Sequence, residues 1–209
     1  MNARVTTAGM TRNGNRFDWS GGHPALDLVN TLDERPLPEP IENLATYSDL
    51  VSFTEFAGLI APAEARLLRR LSGQAPAQVV RRARKLREDL FGALAKLRGR
   101  GAIPSGALDG IAAAIRQAHA ARTLSASQGG HFAQYEWTAP QAADVPLRAC
   151  ALAIEDLLIG TDRSRIRKCR APDCDVYFVD KSKAQRRHWC SMSNCGNREK
   201  QRRWRVRAE

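Results

Sequence analysis

No apolar run in this chain approaches 18 residues, so a membrane-spanning helix is excluded. Residues 1–16 hold no apolar stretch ahead of a small-residue cleavage site. No secretory leader is therefore legible, and a cytoplasmic setting is the expectation. Aromatic residues make up only 6% of the chain, and there is no internal repeat. No Ser-His-Asp order, phosphate loop or carboxylate pair stands out, so nothing specific supports an enzyme. Cysteine is scarce as well, but four of the five cysteines fall between positions 169 and 195.

What is present is 209 residues with 43% hydrophobic content, enough for one ordinary domain and a smaller appendage. The formal net charge of +11 is unevenly placed. Residues 163–209 hold 15 Lys/Arg against 5 Asp/Glu, whereas residues 1–162 hold 18 against 17. A basic field confined to one tail attracts a polyanion: DNA or RNA is the usual partner, duplex DNA the first expectation, and an anionic membrane surface the lesser alternative. A solvated basic tail with no partner is the plainer alternative.

Residues 1–16 are polar and are expected to form a disordered tail. Pro24 occupies a first-helical-turn position before Ala25, Leu26, Leu28, Val29 and Leu32, which predicts a short helix. An initial strand at Phe17–Trp19 is also plausible. Pro36 to Pro40 reads as a stiff extended connector. Helices are predicted over 47–60, from Pro62 to Gly73, from Pro76 onward, over 105–121 and over 141–160. The strongest periodicity is Val79, Ala83, Leu86, Leu90, Leu94 and Leu97, with Arg81, Arg82, Arg84, Lys85 and Arg87 on a solvated face. Leu67 and Leu108 are expected inward on their own helices, and Cys150 reads as a buried, inert thiol. Residues 122–127 and 132–138 read as a hairpin around Gln128 to His131, with Ala133, Tyr135 and Trp137 on one face. The first 160 residues are thus a helix-rich α+β domain.

Cys169, Cys174, Cys190 and Cys195 have the spacing C-x4-C-x15-C-x4-C. Two close pairs separated by about fifteen residues suit a four-thiolate metal site. Zinc is preferred because it accepts four thiolates tetrahedrally; an iron–sulfur centre or two disulfides are the alternatives. A site filled by four cysteines leaves no position for a catalytic water, so the ion is read as structural. Some 45 residues with few apolar side chains need such an ion to fold. Asn194 is the candidate N-cap of a final helix over 195–207. Trp189 reads as core, and Trp204 as an anchor packed on the finger rather than a stacking residue.

The run from Arg187 to Arg198, RHWCSMSNCGNR, resembles the CGNR zinc-finger signature. The block from Gly21 to Arg35, with LDLVNT at its centre, resembles the opening of the ABATE domain that precedes that finger. The resemblance spans essentially the whole chain and implies a bacterial family of stress-responsive transcription regulators. It implies a ligand-binding ABATE-like domain at 17–162 and a treble-clef finger at 163–209. It places one structural zinc on Cys169, Cys174, Cys190 and Cys195. It places DNA-facing side chains at Arg186, Arg187, Arg198, Lys200, Arg202, Arg203 and Arg205. His188 stands where the family pattern has Arg, which weakens a phosphate contact there. In the first block, His23, Asp27, Asn30, Thr31 and Arg35 are candidates for a small-molecule pocket. The alternative is that they form a hydrogen-bonded network joining neighbouring elements.

Overall fold

The computed structural model describes residues 17–98, 101–127, 129–130 and 132–207. The expected disordered tail at 1–16, and Gln128 and His131 of the expected hairpin loop, lie outside them. The chain divides into two compact units, one formed by residues 44–158 and the other by the chain up to Asn43 together with the chain from Ile159. These cuts differ from a boundary at 162/163. The N-terminal motif belongs to the same unit as the four cysteines.

The discontinuous unit begins with helix α1 (Pro24–Val29), whose first turn carries Pro24. Ala25, Leu26, Leu28 and Val29 are all buried. Two two-residue strands follow, β1 (Leu32–Asp33) and β2 (Ile41–Glu42), paired antiparallel. The proline run between them is therefore not an extended connector. Leu37 N–H donates to the Glu34 carbonyl at 2.8 Å, and Glu34 takes a positive φ of 52°, so the chain reverses. Phe17–Trp19 forms no strand.

The middle unit holds α2 (Tyr47–Phe56), α3 (Pro62–Leu68), α4 (Gln74–Arg98) and α5 (Ser105–Ala120). It continues with hairpin strands β3 (Arg122–Ala126) and β4 (Ala133–Trp137), and with α6 (Val145–Ile159). A capping box starts α2: Asp49 N–H donates to Thr46 Oγ1 at 3.2 Å, and Thr46 N–H donates to Asp49 Oδ2 at 2.7 Å. The periodic residues Val79, Ala83, Leu86, Leu90 and Leu94 of α4 are buried, as are Phe53, Ile111, Cys150 and Ile154. Leu67, Leu97 and Leu108 are exposed instead, because each sits in a first or last helical turn, beyond the reach of the packed centre. Arg87, expected on the solvated face, is buried and paired with Glu88 at 2.8 Å. The β3–β4 register sets Leu124 opposite Tyr135 and Ala126 opposite Ala133. Both faces of the hairpin are largely solvated, with Leu124, Phe132 and Tyr135 exposed.

From Thr161 the chain returns to the first unit through a 3₁₀ turn (Thr161–Arg165). Strands β5 (Ile166–Lys168) and β6 (Tyr177–Val179) then pair antiparallel. After a long loop comes a π-helical turn (Met192–Gly196), which runs into α7 (Asn197–Arg207). The fold is thus α+β, helix-rich with small antiparallel hairpins. The order of hairpin knuckle, loop and terminal helix is compatible with a treble clef. Among the described residues no helix is long and apolar enough to cross a membrane.

Candidate metal centre and basic helix

Cys169 and Cys174 lie in the turn joining β5 to β6. Cys169 N–H donates to the Val176 carbonyl at 2.9 Å, and Cys174 N–H donates to the Ala171 carbonyl at 3.1 Å, which folds the knuckle tightly. The second pair arrives from the far side. Arg170 N–H donates to the His188 carbonyl at 3.0 Å, and Cys190 N–H points at Cys169 Sγ at 3.4 Å. Ser191, not Asn194, caps the π-helical turn: Asn194 N–H donates to Ser191 Oγ at 3.3 Å. The capping residue thus lies three positions before the expected one, because a separate turn over Met192–Gly196 precedes α7. A Cβ on Gly196 would come within 2.9 Å of Met192 Sδ and 3.1 Å of Trp189 Cδ1, so a larger residue beside Cys195 would need the exposed Met192 side chain to swing aside. Trp189 packs on the cysteine core, as expected.

The four Sγ atoms lie within 4.8 Å of one another. Cys190 and Cys195 are 3.5 Å apart, and Cys174 and Cys190 are 3.8 Å apart. These spacings are far beyond a disulfide bond. A tetrahedron with Zn–S bonds of about 2.3 Å has S···S edges of about 3.8 Å, so the donor set fits one zinc ion. Zinc with four thiolates carries a charge of about −2, which nearby cations offset. Arg198 serves there: its Nη2 is 3.3 Å from Cys195 Sγ and 3.0 Å from Asp173 Oδ1. His188 is exposed and stands outside the cluster.

The N-terminal motif completes this unit. Asn30 is buried, and its side chain acts as a strand partner: Nδ2 donates to the Tyr177 carbonyl at 2.9 Å, while Tyr177 N–H donates to Oδ1 at 3.0 Å. Val179 N–H donates to the Gly21 carbonyl at 2.8 Å. Asp27 Oδ1 accepts from Gly21 N–H at 2.9 Å, an approach so close that a Cβ on Gly21 would lie 2.5 Å from that oxygen. Burial raises the Asp27 carboxyl to about 7, against the opposing pull of the Gly21 hydrogen bond. Thr31 Oγ1 donates to the Leu28 carbonyl, His23 Nδ1 accepts from Ala25 N–H, and Arg35 Nη2 reaches the Val29 carbonyl. All five candidate pocket residues therefore hold structure together. Two of them, Asn30 and Arg35, also line a cleft whose other walls include Asp33, Glu34, Asp173 and Arg198.

The seven candidate DNA-facing residues separate into two groups. Arg187 turns inward: its guanidinium donates to the carbonyls of Trp189 and Cys190 and lies 4.3 Å over the Phe178 ring. Buried Asp180 fixes this loop by accepting from Arg187 N–H at 2.8 Å and Ser182 N–H at 3.0 Å. Arg198 serves the sulfur cluster, and Arg202 pairs with Glu199 at 3.0 Å. Arg186, Lys200, Arg203 and Arg205 are exposed and make no ion pair among the described residues. Trp204 is no anchor: it is 75% exposed, because α7 turns it away from the knuckle. Local spacing carried no signal for the inward turn of Arg187 or for the Asn30 pairing.

A family model described as "ABATE: Putative stress-induced transcription regulator" matches residues 22–161, and a CGNR zinc-finger model matches residues 165–208. No curated protein matches the chain.

Three outcomes follow from this geometry. Cys174→Ser lowers bound zinc well below one per chain by elemental analysis, while the 44–158 unit keeps its helical melting transition. Asn30→Ala strands the buried N–H and C=O of Tyr177 and destabilises the cysteine-bearing unit by about 2–4 kcal/mol, as read by hydrogen exchange at β6. Asp27 keeps its proton in the folded state up to about pH 7. In the unfolded chain it ionises near 4, so its contribution to stability declines as pH rises between those values and is lost above 7. Asp27→Asn, measured by thermal melts from pH 4 to 8, removes that decline.

Proposed function

Because the chain belongs to the ABATE and CGNR zinc-finger family, we propose that it is a zinc-dependent transcription regulator that docks on duplex DNA. The observation that carries this reading is the division of labour among its cations. Arg187 and Arg198 are spent inside the finger, whereas Arg186, Lys200, Arg203 and Arg205 stand exposed beside it. Exposed guanidinium and ammonium groups on a rigid support bind phosphates and release counterions. Zinc supplies the rigidity: it ties knuckle and helix together and takes no part in chemistry. The protein acts as a regulator rather than an enzyme, in the compartment that holds the chromosome.

The sensing half of the proposal is the cleft at the N-terminal motif. Asn30 and Arg35 line it together with Cys174, Cys190 and Cys195, so a small molecule seated there would bear on the metal ligands themselves. Thermal-shift screening of the zinc-loaded chain against a metabolite set, with Arg35→Ala as the control, tests this half.

Four phosphate contacts give log K against log[salt] a slope of about −3.6 on duplex DNA. Arg203→Ala reduces the slope by about 0.9, and chelation of zinc abolishes binding. Fluorescence anisotropy over a salt series measures both. Salt-independent affinity, or none for any duplex, overturns the reading; tighter binding of RNA at matched salt moves it to an RNA-binding module.

A further inference from the structure

Helix α7 has two unlike sides. One side faces the knuckle: Glu199 is buried, Arg198 reaches Cys195 Sγ and Asp173, and Arg202 lies within ion-pair distance of Asp173 and Glu199. Trp204 follows Arg202 by two residues, and at about 100° per residue it lies about 200° round the helix from it. The indole is thus at the centre of the outward side. Lys200, one turn earlier, stands beside it, and an open hollow is lined by Lys200, Gln201, Trp204 and Arg205. An indole left 75% exposed is the largest apolar group on this helix and has no place in its packing.

The cations around it rule out an acid-poor apolar partner and select a polyanion that also offers a flat aromatic face. A fully paired duplex presents phosphates but keeps its base faces stacked away. A locally unpaired segment presents both. We propose, resting on the nucleic-acid reading above, that Trp204 is a stacking platform for an unpaired base, and that the finger prefers DNA opened locally over fully paired DNA. Lys200, Arg203 and Arg205 hold the backbone, and the indole takes the exposed base, an interaction available to every base and therefore tolerant of sequence. The step is binding alone; no bond is made or broken.

The test uses the zinc-loaded full chain, a labelled fully paired duplex, and the same duplex with a short central unpaired bubble, at matched salt. The wild type binds the bubble about tenfold more tightly than the paired duplex. Trp204→Ala removes that preference by weakening only the bubble complex, and leaves the salt slope on paired DNA unchanged. Trp204→Phe retains most of the preference, because a phenyl ring still stacks. Lys200→Ala weakens both complexes and lowers both slopes, leaving the ratio intact. Equal affinity of the wild type for the two probes, or a ratio unchanged in Trp204→Ala, overturns the platform while phosphate docking stands. Absence of salt-dependent binding to either probe overturns the docking proposal and the platform together.

Discussion

Four sulfurs held within 4.8 Å of one another constrain everything at the carboxyl end of this chain. The segment around them is short and cationic, with a buried cluster of little more than Phe178, Ala171 and the cysteines themselves. Such a cluster cannot overcome the entropy of ordering the segment. A tetrahedral cation converts mutual repulsion among thiolates into attraction, and in comparable small peptides a structural zinc contributes on the order of 10–16 kcal/mol. The knuckle, the loop fixed by Asp180 and the outgoing helix take their positions from it. The placement of every exposed cation on α7 follows in turn.

The second constraint is the pairing of Asn30 with Tyr177. A carboxamide sets an N–H donor beside a C=O acceptor as a peptide group does, so it can continue a ladder where no strand is available. β6 has β5 on one edge and this side chain, with the Gly21 carbonyl, on the other. The finger is therefore not closed by its own sequence. The segment around helix α1 supplies the missing edge: Asn30 makes the connection directly, and Asp27 holds Gly21, whose carbonyl makes it too.

The cysteine ligand set was legible because metal ligation needs residue types at a fixed spacing, and spacing is local. The helices of the middle unit were legible through periodicity, most clearly in α4, where Leu86, Leu90 and Leu94 mark one face. Other features are set by tertiary partners and leave no local pattern. Asn30 finds Tyr177 across 147 positions. Arg187 looks like any other cation in a basic run, yet Asp180 and the carbonyls of Trp189 and Cys190 draw it inward. Pro36 to Pro40 reads as extended because prolines favour that backbone, but a positive φ at Glu34 and the β1–β2 pairing turn it back. Trp204 reads as an anchor on the finger because indoles bury well, but it lies on the side of α7 that faces away from the metal-centred core.

The discontinuous unit also dictates an order of events at the ribosome. Residues 17–43 leave the exit tunnel first, but the strand that Asn30 must meet is synthesised 147 positions later. At usual elongation speeds that interval is roughly 10–30 s. For that time Gly21 and Asn30 have no strand to pair with, while residues 44–158 are free to fold as a unit. Maturation of the nascent protein is thus gated by the arrival of its last segment and of the metal, and the opening motif must stay soluble until both are at hand.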